Sequence, residues 1–333
     1  NLSSLVSQLR RYVVASAAGT GEGHGIGRRW QLSPDQAAAT LAYLIEQEVP
    51  GADPQHWHGL RPLSTVDPLQ PDGAKLTVSP SRIEQIASCA LRWALASSGG
   101  DTPSQYAQSL GNLVHQLAQD FPDGDPGELQ QALEQRFGTL GLPKGWIADR
   151  AYRDAQEVVR RLAIYLQSHA GTELVATEFP VDADLGSVRV LGSVDRLERI
   201  GSEEHRLVDF KTGKAITAAD AAQNPQLGVY QAALETAGFP VTSAELVYLA
   251  QGAKGPAIRK QLSLDTTLPA PNTAEDDTPQ PEPPLLRENV KSLLETAAAE
   301  ATSPQLTVTV GEHCRSCPVR TSCPLQTEGR PAL

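Results

Sequence analysis

The chain has 333 residues, 40% hydrophobic and 20% charged, enough for one large or two modest domains with a buried core and unlike a disordered or membrane-embedded composition. No apolar run approaches the roughly 20 residues of a membrane span, no signal peptide opens the chain, and a formal net charge of -11 excludes a uniformly basic nucleic-acid binder while leaving room for a local basic channel. Methionine is absent throughout, so these residues are expected to be a segment of a longer polypeptide. Leu5, Leu9 and Val13 recur at helical spacing in Leu2 to Ser16. The run GTGEGHGIG (Gly19 to Gly27) has no strand before it and no Lys-Ser/Thr after it, so it reads as a flexible loop, not a phosphate cradle. Ser33-Pro34-Asp35 opens a helix to about Glu48, with Ser33 as its cap, and Pro and Gly dominate Val49 to Ala74. Residues 1–77 are therefore expected to be a helical segment and linker, distinct from residues 78–333.

The second region starts with Ser79 capping a helix that has Pro80 at its first position and carries Ile83, Ile86 and Leu91. Helices are expected over 104–121, 126–138 and 147–169. The period then changes. Leu174 to Val181, Val188 to Ile200 and Arg206 to Lys211 alternate or are β-branched and read as three antiparallel strands. A helix over Asn224 to Thr236 and strands over Ala244 to Ala250 and Ala257 to Leu264 follow. Asp265 to Pro284 holds five acids, six prolines and no base, the composition of a disordered acidic insertion. A helix over Leu285 to Ala301 leads into a Cys-rich end. The expected architecture is a mixed α/β sandwich.

The chemistry concentrates on two successive strands. GSVDRLERI places Asp195 on one, and HRLVDFKTGK places Asp209, Phe210 and Lys211 on the next. Magnesium wants oxygen ligands and keeps several waters, so two carboxylates suffice as charged anchors. The Phe210 carbonyl can add a third oxygen. Lys211 shares a strand face with Asp209, where its ammonium can meet a scissile phosphate or orient a water. A short gap between the strands allows a tight hairpin that brings the acids together. Such a metal site cuts phosphodiester bonds. Glu178, alternating with Ala176 and Pro180, reads equally as a support of this site or as an exposed strand glutamate.

With these residues in place, the sequence resembles the PD-(D/E)xK nuclease superfamily, in its RecB-like branch. GNLVH (Gly111 to His115) looks like that branch's helical Gly-x-x-x-His motif. GSVD (Gly192 to Asp195) and VDFKTG (Val208 to Gly213) look like its two acidic motifs, and QLGVY (Gln226 to Tyr230) like its Gln-x-x-x-Tyr motif. The resemblance covers residues 79 to about 325. It implies a restriction-endonuclease-like core, a mixed central sheet flanked by helices. It also implies a magnesium- or manganese-dependent deoxyribonuclease with His115, Asp195, Asp209 and Phe210 as metal ligands and Lys211 as the catalytic lysine. Gln226 and Tyr230 would bind nucleic acid and support that lysine.

Cys89, Cys314, Cys317 and Cys323 are all the cysteines, the last three reading C-x2-C-x5-C. Four thiolates suit an iron–sulfur cluster or a structural zinc, and free thiols remain a third reading. Two disulfides do not suit a cytoplasmic nuclease. The one-plus-three distribution resembles the iron–sulfur RecB-like nucleases of the AddB type, where a [4Fe–4S] cluster clips the C-terminal tail onto the helix preceding the nuclease core. GADPQHWHGLRPLS (Gly51 to Ser64), running into VSPSRIEQIASCALRW, resembles the junction of Adn-type helicase–nucleases, in which a UvrD-like motor precedes the nuclease on each of two subunits. No Walker A sequence occurs, so any ATPase motor lies outside these residues. The resemblance implies DNA as substrate, single-stranded and fed from unwound broken duplex ends, and a second helicase–nuclease subunit as partner. Arg92, Arg150, Arg153, Arg160, Arg161 and Lys214 are candidate contacts to the phosphate backbone. A catalytically silent guiding module and a stand-alone Cas4-like exonuclease are the alternative readings.

Overall fold

The computed structural model describes residues 34–49, 52–53, 67–68, 70–71, 74–100, 105–268 and 284–326. The chain divides into two units at Val66 and Asp67. The first contributes one described helix, α1 (Pro34–Glu46), with Pro34 in the first turn where its missing N–H goes unmissed. The expected helix over residues 2–16, the Gly-rich loop and Ser33 lie outside the described residues.

In the second unit a six-stranded sheet is built from β1 (Leu76–Val78), β2 (Glu173–Leu185), β3 (Val188–Arg199), β4 (His205–Lys211), β5 (Val241–Tyr248) and β6 (Ala257–Leu262). The strands β2, β3 and β4 form the expected antiparallel meander. β5 runs parallel to β4, as a helical crossover demands, and β6 returns antiparallel. The β2–β3 turn is the two-residue loop Gly186-Ser187, with Gly186 at a φ of 80° and Leu185 paired with Val188. β3 lies along β2 on one edge and is shared on the other. β1 takes Val188 to Val190 in parallel, β4 takes Arg196 to Arg199, and Leu191 to Asp195 between them have no strand partner on that edge among the described residues.

Helices cover both faces. α2 (Pro80–Ser88), α3 (Ala90–Leu95), α7 (Ala218–Ala222), α8 (Pro225–Thr236) and α9 (Leu286–Thr302) lie in the first core layer or beside it. α4 (Gln105–Asp120), α5 (Pro126–Phe137) and α6 (Trp146–Ser168) form the second. Strand alternation divides β4 between them: Leu207 joins the first core, Val208 and Phe210 the second. Asp209 and Lys211 therefore share the face of Leu207 and look toward α8. Gly228 lets α9 press onto α8, since a Cβ there would lie 2.6 Å from Val290 Cγ2.

Two details differ from expectation. Ser79 occupies the cap position of α2, but its hydroxyl meets Ser81 Oγ at 3.1 Å instead of capping the backbone. The expected disordered insertion has ordered ends: Leu268 is buried and its N–H donates to the Pro284 carbonyl at 3.0 Å, while Asp265 pairs with Arg287. Apolar Leu264 and Leu268 pin that entry to the core, which the acidic composition masks; residues 269–283 lie outside the described residues. Arg196 and Glu198, buried in β3, pair at 2.6 Å, with Arg206 adding a second partner for Glu198, so these charges are structural. Among the described residues no helix is long and apolar enough to cross a membrane.

Candidate metal centre and active site

The site occupies the unpaired stretch of β3. Where the β3–β4 ladder ends at Arg196 and Val208, the Asp195 side chain takes over, its Oδ2 accepting the Phe210 N–H at 2.6 Å. The other carboxylate oxygen lies 3.2 Å from His115 Nδ1, presented by α4. Gly192 is needed for close approach, because a Cβ there would sit 3.3 Å from the Tyr230 hydroxyl and 3.4 Å from Pro80. That hydroxyl donates to the Ser193 carbonyl at 2.7 Å, so Tyr230 ties α8 to the open edge of β3.

Asp209 and Lys211 stand one strand over. Lys211 Nζ lies 2.8 Å from Asp209 Oδ2 and donates to Gln226 Oε1 at 2.9 Å, while Gln226 Nε2 donates to Asp209 Oδ1 at 2.9 Å. Gln226 thus spans the pair from α8, one turn before Tyr230. Phe210 enters the site through its N–H, and its side chain packs in the second core.

The structure adds Glu178. Counting seven residues back from Leu185 and seven on from Val188 puts Glu178 level with Asp195 across the hairpin. It has a φ of 47°, the left-handed region that a residue with a Cβ enters only when its surroundings require it. Ser193 Oγ donates to Glu178 Oε2 at 2.7 Å. Ligand atoms of His115, Glu178 and Asp195 all lie within 4.8 Å of one another. The Gly186-Ser187 turn signals that Glu178 and Asp195 lie level, but not the left-handed backbone that turns Glu178 inward.

The electrostatics suit a cation. Burial pushes the Asp209 carboxyl up to about 6, the neighbouring Asp195 adding to this and the Lys211 charge opposing it. Burial pulls His115 down, but its hydrogen bond with Asp195 and the charges of Asp195, Asp209 and Glu178 more than offset this, leaving it raised. Lys211 is likewise raised, burial being overcome by Asp209, Asp195 and Glu84. Asp209 Oδ2 is buried and, apart from the Lys211 ion pair, has no hydrogen bond of good geometry, so a lone pair is left for a metal. Carboxylates with one imidazole match magnesium or manganese. His115, Glu178 and Asp195 are close enough together to hold the ion, which when bound would polarise a phosphoryl oxygen and acidify a water; Asp209, expected as a ligand, stands outside that group of three and would be a further candidate ligand from the neighbouring strand. Lys211, held by Gln226, presents its charge beside that position, where negative charge develops on phosphate.

A pH dependence follows. Asp209 and His115 hold protons more tightly folded than unfolded. Their contribution to the metal-free fold is fully present below their unfolded values, near 3.8 and 6.5, and is lost as pH rises through about 6 for Asp209 and through a value above 6.5 for His115. Metal binding needs both deprotonated and runs the other way. Manganese is expected to raise the melting temperature far more at pH 8 than at pH 5.5. Equal shifts at the two pH values would contradict the ligand set.

Four of the six candidate phosphate contacts have other partners or places. Arg161 is spent on the carbonyls of Gly252 and Leu249, at 3.0 and 3.1 Å, Arg160 pairs with Glu157, and Arg150 lies 3.9 Å from Asp154. Arg92 instead lines a separate pocket that contains all four cysteines, Cys89, Cys314, Cys317 and Cys323, with His313 and Val319. Cys89 is extended and breaks the helix between α2 and α3, and the next turn receives the C-terminal tail through a hydrogen bond from Leu91 N–H to the Thr307 carbonyl, 3.2 Å.

A search against curated proteins returns no match. The profile of the PD-(D/E)XK nuclease superfamily matches residues 77–324, a span that begins within β1 and takes in the metal centre and all four cysteines. On that match, with the mixed sheet and the paired acids and lysine at its split edge, the chain belongs to the PD-(D/E)XK nuclease superfamily.

Proposed function

We propose that this nuclease cuts DNA, single strands in preference to duplex, as the cutting module of an Adn-type helicase–nuclease that resects double-strand breaks in the cytoplasm with a second subunit. The observation that carries the cutting chemistry is the convergence of His115, Glu178 and Asp195 within 4.8 Å beside the Asp209–Lys211 pair. Magnesium or manganese is the metal, with the Phe210 carbonyl a further ligand. Lys211 acts on the phosphate or its attacking water, and Gln226 and Tyr230 hold it and the β3 edge in register. The preference for one strand rests on the position of the site, between helices that flank the sheet on both faces, where a single strand enters more easily than a duplex. The helicase context rests on the junction sequence and on the cysteine pocket.

That pocket is read as the seat of a [4Fe–4S] cluster. All four thiols line it, and its donor set suits iron–sulfur or zinc. The test is the purified chain incubated with labelled single- and double-stranded DNA, with and without magnesium or manganese, beside an absorbance spectrum and iron and zinc quantitation. Metal-dependent cutting that favours single strands, by a brown protein holding iron, is expected. Cutting that ignores chelators would sink the metal mechanism, equal cutting of duplex the strand preference, and stoichiometric zinc the cluster.

A further inference from the structure

Arg153 and Lys214 are exposed, and neither has a hydrogen-bond or ion-pair partner among the described residues; the same holds for Lys254. Trp146, the first residue of α6, is 73% exposed, an unusual place for the largest of the side chains. The fold strings these residues along one line. α6 runs antiparallel to β5: Tyr165 Oη donates to Glu245 Oε2 at 2.8 Å, and Arg161, one turn earlier, donates to the Leu249 carbonyl at 3.1 Å. The Leu249 N–H donates to the Lys211 carbonyl at 2.8 Å, so this end of β5 is level with Lys211 at the end of β4. Trp146 precedes Arg161 by 15 residues, and the first turns of α6 therefore project about 22 Å past that edge of the sheet.

At about 100° per residue, Trp146, Arg153 and Ile164 fall within about 20° of one another, on the side of α6 opposite its buried face. The loop after β5 lies on this stripe. Arg161 Nε donates to the Gly252 carbonyl at 3.0 Å, and a Cβ on Gly255 would stand 3.3 Å from Ile164 Cγ2. That loop carries Lys254. The loop after β4, which carries Lys214, joins it through the Ala215 N–H, donating to Gln251 Oε1 at 3.1 Å. Neither 212–216 nor 249–256 contains an acid. Of the acids beside the stripe, Glu157 is paired with Arg160 and Arg161, Asp154 lies 3.9 Å from Arg150, and Asp149 stands about 60° round the helix. On a chain of net charge -11, unpaired cations thus run from the Lys211 end of β4 to an exposed indole. We propose that Lys214, Lys254, Arg153 and Trp146 form a track for a single nucleic-acid strand leading to the metal centre, the cations meeting its phosphates and the indole stacking on a base. A duplex has its base faces already stacked and offers the indole none. The proposal rests on the nuclease reading and deepens it.

Fluorescence anisotropy of a labelled oligothymidylate strand of roughly 20 nucleotides, titrated with the chain without added divalent metal, reads the track in the absence of cleavage. Trp146→Ala is expected to weaken binding about tenfold, and Trp146→Phe far less, since a phenyl ring still stacks. Melting temperatures should match the wild type, because the indole is exposed. Arg153→Ala combined with Lys254→Ala should lower the slope of log affinity against log salt by about 0.7 for each cation removed, the counterion release of a single strand. Wild-type affinity in Trp146→Ala, or an unchanged slope in the double variant, would overturn the proposal. A Trp146→Ala chain that binds the strand normally but changes its oligomeric state would make the stripe a protein-docking face and overturn it as well. A wild type that shows these binding effects yet cuts nothing with magnesium or manganese removes the nuclease reading and leaves the track standing.

Discussion

Lys211→Ala is expected to fold, to retain DNA and to cut it about a thousandfold more slowly than the wild type. A preorganised donor aimed at developing negative charge is worth roughly 10²–10³ in rate, and this one is a full charge in a partly buried site. The ammonium is held by only two groups, Asp209 and Gln226, and no other lysine or arginine lies within ion-pair distance of Asp195 or Asp209 among the described residues, so nothing stands ready to replace it. Asp209→Asn is the companion variant. It keeps the shape between Lys211 and Gln226 but removes the charge a metal needs, so activity should fall at least as far while manganese binding weakens. Asp209→Ala is less clean, since it strands a half-buried lysine and destabilises the fold. The double variant should lose no more than the worse single one, because both residues serve one step. Time courses on labelled single strands, with melting curves and a binding assay on each variant, decide the matter. Cleavage by Lys211→Ala at more than about a tenth of the wild-type rate would remove the lysine from the mechanism.

The second large effect is expected from the cysteine clip. Cys89→Ser combined with Cys317→Ser should bleach the protein, lower its melting temperature and leave the C-terminal tail open to protease. A link between Cys89 and Cys314 closes a loop of roughly 225 residues, and a cross-link of that span removes about 5 kcal/mol of unfolded-state entropy. That is comparable with the whole stability of an ordinary domain. Among the described residues the contacts that hold the tail include the Leu91–Thr307 hydrogen bond, Leu306 packed on the first core, Thr307 bonded to Glu300, and buried Val319 and Cys323. Because Cys89 ends α2, whose Pro80 lies against Gly192 on the open edge of β3, cleavage should fall with the clip even where the sheet survives. Limited proteolysis and iron content measured on one preparation test this. A double variant that melts with the wild type would show that the cysteines do not staple the fold.

The nuclease motifs were legible because strand and helix periods are short-range. Alternation along β4 placed Asp209 and Lys211 on one face, and helical spacing stacked Gln226 over Tyr230, before any tertiary contact was known. Glu178 was not legible in the same way. An exposed strand glutamate and one turned inward by a left-handed backbone have the same sequence, and only the hairpin register separates them. The arginines of α6 show the converse. A basic run on an amphipathic helix fits a phosphate track, yet Arg161 is consumed by carbonyls on the neighbouring β5–β6 connection, a partner about 90 residues away in the chain.

The sequence by itself determined the order of the long helices and strands, though not β1 or α7, together with the superfamily, the two acids with their lysine and the set of four cysteines, since each depends on residue type and local period. The tertiary structure alone decided that β1 and β4 divide one edge of β3 and leave Leu191 to Asp195 open, and that Glu178 turns into the opening. Those features depend on strand pairing and helix docking between residues far apart in the chain. The free energy of such contacts resides in burial and charge shared across elements, which no local pattern records.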